Sequence, residues 1–233
     1  LSGNRTELDE SLKNIKNFLN IRLLELKINN NTYIPFERLK IKLKKEIVSL
    51  GQGELDINKK RGIPIKPKEW DKIILNKDFN IIDTRNNFEV DIGSFQNSIN
   101  PQTNSFREFP LKFEKLKISK KSKIAMFCTG GIRCEKASSY LRNKGFKNVY
   151  QLEGGIISYL DYKNKHKITR SAWKGECFVF DNRVTVNQKL QRGKYSQCYG
   201  CRSAITKKEI ESKFYKKGVY CPKCYYVRTD KQK

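Results

Sequence analysis

The seven-residue run CTGGIRC, from Cys128 to Cys134, does most to narrow the folds open to this chain. It lies between an apolar strand pattern over 123–128 and a helical pattern over 135–145. A strand that enters a Gly-rich turn and leaves it as a helix converges the turn's N–H groups and the helix's positive end on the last strand residue, here Cys128. A thiolate at that point is stabilised. Gly130 and Gly131 supply the permissive dihedrals that let the loop curl around a sulfur, and Arg133 adds a fixed positive charge. The bland alternative is a buried, inert cysteine at a strand end.

The flanking sequence repeats the alternation: helix over 69–75, buried strand over 80–84, and strand over 149–152 after the helix at 135–145. Such alternation predicts an α/β layer on a mainly parallel sheet, with ligands bound beyond the carboxyl ends of the strands. Asp83-Thr84-Arg85 lies at a second such end. The Gly, Pro and Lys of 62–67 read as a linker. Upstream, Thr6 with Asp9 resembles a capping pair, and Leu8, Leu12, Ile15 and Leu19 recur at helical spacing. Phe36, Leu39, Ile41 and Leu43, running on through Ile47 and Val48, predict strand as far as Gly51 and Gly53. One helix and two short strands bury too little apolar surface to stand as a domain, so a missing upstream part is expected.

Cys198, Cys201, Cys221 and Cys224 form C-x2-C-x19-C-x2-C, a spacing at which four thiolates wrap one tetrahedral zinc. Gly200 and Pro222 place each pair on a short turn. A closed four-thiolate site leaves no position for water, so this zinc is expected to be structural. No apolar run nears the roughly 18 residues of a membrane span, and the first ten residues lack a signal peptide's basic and apolar regions. The chain therefore reads as soluble and cytoplasmic. It carries 49 basic against 24 acidic residues, a net charge of +25, of which +14 lies from Lys163 onward. Lys-rich, Asn-rich and Ile-rich composition can reflect codon usage alone, but this clustering also suits a polyanion partner. No GxGxxG or GxxxxGK[ST] run is present, so no organic cofactor motif is visible.

These motifs resemble the rhodanese family, in which a loop cysteine carries a persulfide. IIDTRNNFEVDIGSFQNSINP matches that family's D-x-R signature with its following acidic residue and glycine, although Ser94 stands where a His is usual. CTGGIR has the sulfur-handling loop length, one residue shorter than in phosphatases of related architecture. The match narrows with PFERLKIKLKKEIVSLG, FREFP, FCTGGIRCEKAS, LEGGI, GECFVFD and the two C-x2-C pairs. Together these resemble the rhodanese-domain tRNA uridine hydroxylases. The resemblance implies a partial ferredoxin-like α+β domain over 1–61, a rhodanese-like domain over 62–170 and a basic, four-cysteine zinc-binding segment over 171–233. It also implies an N-terminally shortened chain.

By that resemblance Cys128 is the active-site cysteine and Arg133 its charged partner, with Thr129, Gly130, Gly131 and Ile132 as the cradle. Four residues are supporting candidates. Asp83 and Arg85 either orient the loop, bind substrate or serve as ordinary turn residues. Cys134 is either a second redox thiol that resolves an oxidised Cys128 or, the favoured reading, a small helix-start residue. Cys177 is either a further thiol or packing, and His166 reads as solvated surface. The implied activity is oxygen-dependent hydroxylation of C5 of the wobble uridine, position 34, to 5-hydroxyuridine, with O2 and a reductant as co-substrates and the tRNA anticodon region as partner. Tyr195, Tyr199, Tyr225 and Tyr226 are candidates for stacking on unpaired bases. The alternative is a sulfurtransferase working through a cysteine persulfide with a sulfur donor as partner. A third reading is a zinc-stapled RNA-binding module with an idle loop.

Overall fold

The computed structural model describes residues 2–23, 26, 28, 36, 41–53 and 55–232. Two compact units result, one of residues 1–43 with 180–183 and the other of 44–179 with 184–233.

In the first unit, α1 (Arg5–Phe18) is capped by Asn4, whose side chain accepts the Glu7 N–H at 2.9 Å. The expected Thr6–Asp9 capping pair is thereby corrected: Thr6 lies inside the helix, and Asp9 pairs with Arg5 instead at 2.8 Å. The predicted strand is not found. Residues 36 and 41–48 carry no strand, and Leu39 lies outside the described residues. Part of the reason is local to the second unit. Glu46 accepts the Leu50 N–H at 2.8 Å and pairs with Lys136 at 2.7 Å, which turns the backbone over and drives Leu50 into the core.

The second unit opens with α2 (Ile57–Lys60), β1 (Ile63–Ile65), α3 (Pro67–Leu75), β2 (Phe79–Asp83), α4 (Asn87–Val90), β3 (Gly93–Phe95) and α5 (Phe109–Glu114). It continues through β4 (Lys123–Phe127), α6 (Ile132–Asn143), β5 (Val149–Leu152), α7 (Gly155–Lys165) and β6 (Trp173–Gly175). Strands β1, β5, β4 and β2 form one parallel sheet in that order. The 62–67 linker reading is corrected here. Ile63–Ile65 pairs with Tyr150–Leu152 as the sheet's edge strand, and Pro67 opens α3 because its missing N–H costs nothing in a first turn.

Side chains alternate across this sheet as strand geometry requires. Ile81, Ala125 and Phe127 face a core with Trp70, Phe95, Tyr159 and Trp173, while Ile82, Ile124 and Met126 face one with Phe109, Ala137 and Leu141. That parity places Cys128 on the α6 side. The expected α/β architecture with a parallel sheet is what the chain forms.

After β6 come β7 (Cys177–Phe178), β8 (Thr185–Val186), β9 (Ser196–Gln197), β10 (Ala204–Ile205), α8 (Lys207–Ile210) and α9 (Pro222–Tyr225). Trp173, Cys177, Val179 and Val186 share the Phe127 core. Ala204 and Tyr195 pack with Ile92 and Phe88 of the parallel-sheet region. No helix among the described residues is long and apolar enough to cross a membrane.

Candidate functional site

Parallel pairing of Asp83 with Phe127 brings the carboxyl ends of β2 and β4 together. Cys128 follows at the floor of the loop, buried, while Gly130 and Ile132 form an exposed rim. The Gly131 N–H donates to the Cys128 sulfur at 3.1 Å, and Gly131, at φ +94°, is the cap from which α6 starts. A hydrogen bond from the Cys134 thiol is the largest influence that lowers the Cys128 pKa, to about 6 against the opposing effect of burial. The Arg133 charge and the N–H groups of Cys134 and Gly131 add to it. Cys128 is thus held as a thiolate at a helix N-terminus near neutral pH.

Two further constraints shape the loop. Arg133 grips Glu89 bidentately, Nη1–Oε2 at 2.6 Å and Nη2–Oε1 at 2.7 Å, and Thr129 donates to the same carboxylate at 3.3 Å. From above, Gly154 and Gly155 both take left-handed backbone conformations, and the first N–H groups of α7 bond the loop's carbonyls. Ile156 donates to Cys128 O at 2.9 Å and Ile157 to Thr129 O at 3.2 Å. With the carbonyls turned towards α7, the loop's N–H groups remain for the sulfur. A Cβ on Gly155 would lie 2.4 Å from Cys128 O, so only glycine fits.

Asp83 and Arg85 are fully buried and form a brace. Arg85 meets Asp83 at 2.6 and 2.9 Å, donates to Gly93 O at 2.7 Å and stacks its guanidinium 5.1 Å from the Trp173 ring. Ser94, at the position where a His is usual, donates to Asp83 at 2.7 Å. Cys134 is buried beside Cys128. Cys177 lies in the Arg85 environment, and burial pushes its thiol up to about 12. His166 caps the end of α7 in solvent, its ring 2.9 Å from Tyr162 O.

Sequence reasoning assigned no role to Glu89, Gly154 or Gly155. Glu89 occupies the acidic position after D-x-R, and the glycines lie in LEGGI, so the signal was present without its meaning.

The four remaining cysteines converge. Cys198 follows β9, Cys221 caps α9, and all four sulfurs lie within 4.8 Å of one another, with Cys201–Cys221 at 3.8 Å and Cys221–Cys224 at 3.9 Å. Gly200 is needed here because a Cβ would stand 2.1 Å from Val219 O. The cluster can hold a metal ion. Beside it Tyr226 is exposed, and Phe214, Tyr225 and Tyr226 form a ring cluster with centroids 4.8–5.5 Å apart. Tyr199 is also exposed, whereas Tyr195 is half-buried against the Ile92 cluster.

The Rhodanese-like domain model matches residues 66–161. A relative named tRNA uridine(34) hydroxylase, from Picosynechococcus sp., is 46% identical over the whole of this chain and 78% of its own length. The chain belongs to the tRNA uridine(34) hydroxylase family. Similar solved structures include a rhodanese-related protein from Thermoplasma volcanium, 29% identical over 44% of this chain and 92% of its own, with a TM-score of 0.37. A rhodanese-like domain protein from Staphylococcus aureus is 23% identical over 42% of this chain and 90% of its own, with a TM-score of 0.35. In this hydroxylase family member the rhodanese-like match spans β2, β4, β5 and the loop that holds Cys128.

Proposed function

We propose that this chain hydroxylates C5 of the wobble uridine, position 34, of tRNA to 5-hydroxyuridine, with Cys128 as the reacting thiol. The carrying observation is the 46% identity, over the whole chain, to the relative named for uridine 34 hydroxylation. A thiolate favoured down to a pH of about 6 supports the chemistry. The Cys128 thiolate adds to C6 of uracil, and C5 becomes nucleophilic. C5 then takes the terminal oxygen of a peroxide formed from O2 and a reductant, whose O–O bond breaks. Loss of the C5 proton expels the thiolate and restores the double bond. Glu89, Arg133 and the α7 amides hold the loop, while Asp83 and Arg85 brace it from beneath.

The four-cysteine cluster suits a structural zinc. Four sulfurs at about 2.3 Å from a tetrahedral ion lie about 3.8 Å apart, which matches the Cys201–Cys221 and Cys221–Cys224 separations of 3.8 and 3.9 Å. With all four positions taken by sulfur, the metal would fix the fold of 196–228 and leave the reaction to the loop. The basic surface around it binds tRNA phosphates, and the exposed Tyr199 and Tyr226 stack on unpaired anticodon bases. The substrate makes the working compartment the cytoplasm.

The decisive experiment is nucleoside mass spectrometry of bulk tRNA from cells lacking this gene, complemented with wild type or Cys128→Ser. Wild type restores 5-hydroxyuridine and Cys128→Ser does not; full restoration by the variant overturns the reading. The four-residue spacing between Cys128 and Arg133 favours a second reading, persulfide sulfur transfer. Under it tRNA would be unchanged while thiosulfate:cyanide transfer fell.

A further inference from the structure

The buried charges around Cys128 are spent on one another. Arg85 pairs with Asp83 and Arg133 with Glu89, each at 2.6 Å. With both pairs neutral, the Cys128 thiolate leaves the loop with one negative charge. A phosphate that arrives with the target base is repelled by that sulfur unless a cation stands at the rim. Neither buried arginine can turn outward to serve, because each would leave a fully buried carboxylate without its counter-charge.

The segment 103–108 supplies the missing cation. At its start Thr103 is buried, donates its hydroxyl to Arg85 O at 3.1 Å and accepts the Asn87 N–H at 2.8 Å. The Asn87 side chain donates to Asn104 Oδ1 at 3.2 Å. These bonds button the segment onto the stretch between the Asp83–Arg85 brace and Glu89, the residue that holds Thr129 and Arg133. Further on, a single 3-10 turn covers Phe106–Glu108, and Phe106 sinks into the core that contains Cys128 and Cys134. Glu108 folds back and accepts the Asn104 N–H at 3.0 Å. Arg107, between these two anchors, is exposed, and no hydrogen bond or ion pair engages it among the described residues.

We propose that Arg107 binds a phosphodiester flanking the nucleotide whose base reaches Cys128. Its guanidinium offers a planar fork that matches two phosphate oxygens, and it stays charged at every pH at which the thiolate exists. The backbone beneath it is fixed at both ends, so little ordering is lost on contact. The identity of that nucleotide rests on the wobble-uridine reading.

The test titrates a labelled anticodon stem-loop RNA with the zinc-loaded full chain, as wild type, Arg107→Gln and Arg107→Lys, over a range of salt. Arg107→Gln is expected to bind roughly tenfold more weakly. Its slope of log affinity against log salt is expected to be shallower by about 0.7, the loss of one phosphate contact. Arg107→Lys keeps the charge and hence the slope, but recovers only part of the affinity because lysine lacks the fork. The RNA is then made with a neutral methylphosphonate at the linkage on the 5′ or the 3′ side of position 34. At one of the two, wild type and Arg107→Gln are expected to bind equally, whereas a methylphosphonate in the stem leaves their difference intact. Near-UV circular dichroism verifies that each variant is folded. The proposal is overturned if folded Arg107→Gln keeps the wild-type affinity and slope, or if neither flanking methylphosphonate abolishes the difference. If wild type restored no 5-hydroxyuridine in cells while these RNA results held, the uridine reading would fall and the phosphate contact would stand.

Discussion

Arg133 and Glu89 are joined by two parallel hydrogen bonds of 2.6 and 2.7 Å across 44 residues of sequence, with the carboxylate wholly buried. The pair ties the thiol loop to the short helix α4, and it sets how much of the Arg133 charge the Cys128 sulfur feels. Replacing Glu89 by Gln leaves a buried guanidinium without its counter-charge. Stability should fall by about 3–5 kcal/mol, read from the urea midpoint. In the folded fraction the thiolate becomes the nearest anion to Arg133, so the alkylation profile of Cys128 should move to lower pH.

In the wild type, the rate of Cys128 alkylation by iodoacetamide should climb through a pH of about 6 and level off above it. The sign follows from the acid: the thiolate is the reactive form, and hydrogen bonds from Cys134 favour it at lower pH than the ~8.5 of a free thiol. Cys134→Ala deletes the thiol donor, so its profile should shift upward. A profile indistinguishable from wild type would remove that donor from the account.

Gly155→Ala places a methyl group 2.4 Å from Cys128 O and 2.6 Å from Thr129 O, at a φ of +67°. Something must move, and it is the loop. A loss of about 1–3 kcal/mol or more is expected from strain and overpacking, together with loss of the low-pH alkylation of Cys128. Gly130→Ala, in open space, is the control and should cost little.

Metal analysis of the purified chain should find one zinc per molecule. Cys221→Ser should lower that occupancy and raise amide exchange across 196–228, while the parallel sheet keeps its protection. Full protection of 196–228 in the metal-free protein would count against a structural metal.

Charge reversal at Lys207, Lys208, Lys216 and Lys217 should weaken tRNA binding. The slope of log affinity against log salt should fall by about 0.7–0.9 for each phosphate that is no longer neutralised. All four are exposed, and among the described residues only Lys207 has an acidic partner, Glu211 at a loose 3.9 Å. Unaltered binding would assign the charge to composition alone.

What the sequence made legible was whatever depends on near neighbours. The strands read over 80–84 and 123–128, the helix that follows the Gly-rich turn and the paired cysteines all follow from periods and short spacings, although that helix begins at Ile132, three residues before the 135 the pattern suggested. What stayed hidden depends on partners far along the chain. Glu89 acquires meaning only when Arg133 arrives, and Gly155 only when the Cys128 carbonyl lies beneath it. Ile63–Ile65 looked like a linker because three residues between glycine and prolines are too few to show alternation, yet pairing with β5 makes them strand. The capping role fell to Asn4 rather than Thr6, a two-residue shift that local pattern does not resolve. Ile41, Leu43 and Ile47 are apolar at strand-like spacing but remain exposed, so hydrophobic pattern without a partner surface did not make a strand.

Trp173 packs its ring 5.1 Å from Phe95 in the heart of the sheet's core, and Ala204 and Tyr195 seat against Ile92 and Phe88. The cysteine cluster is therefore mounted rather than tethered. The thiol loop, the cysteine cluster and the exposed rings of Tyr199 and Tyr226 thus belong to one folded unit rather than to two joined by a free segment.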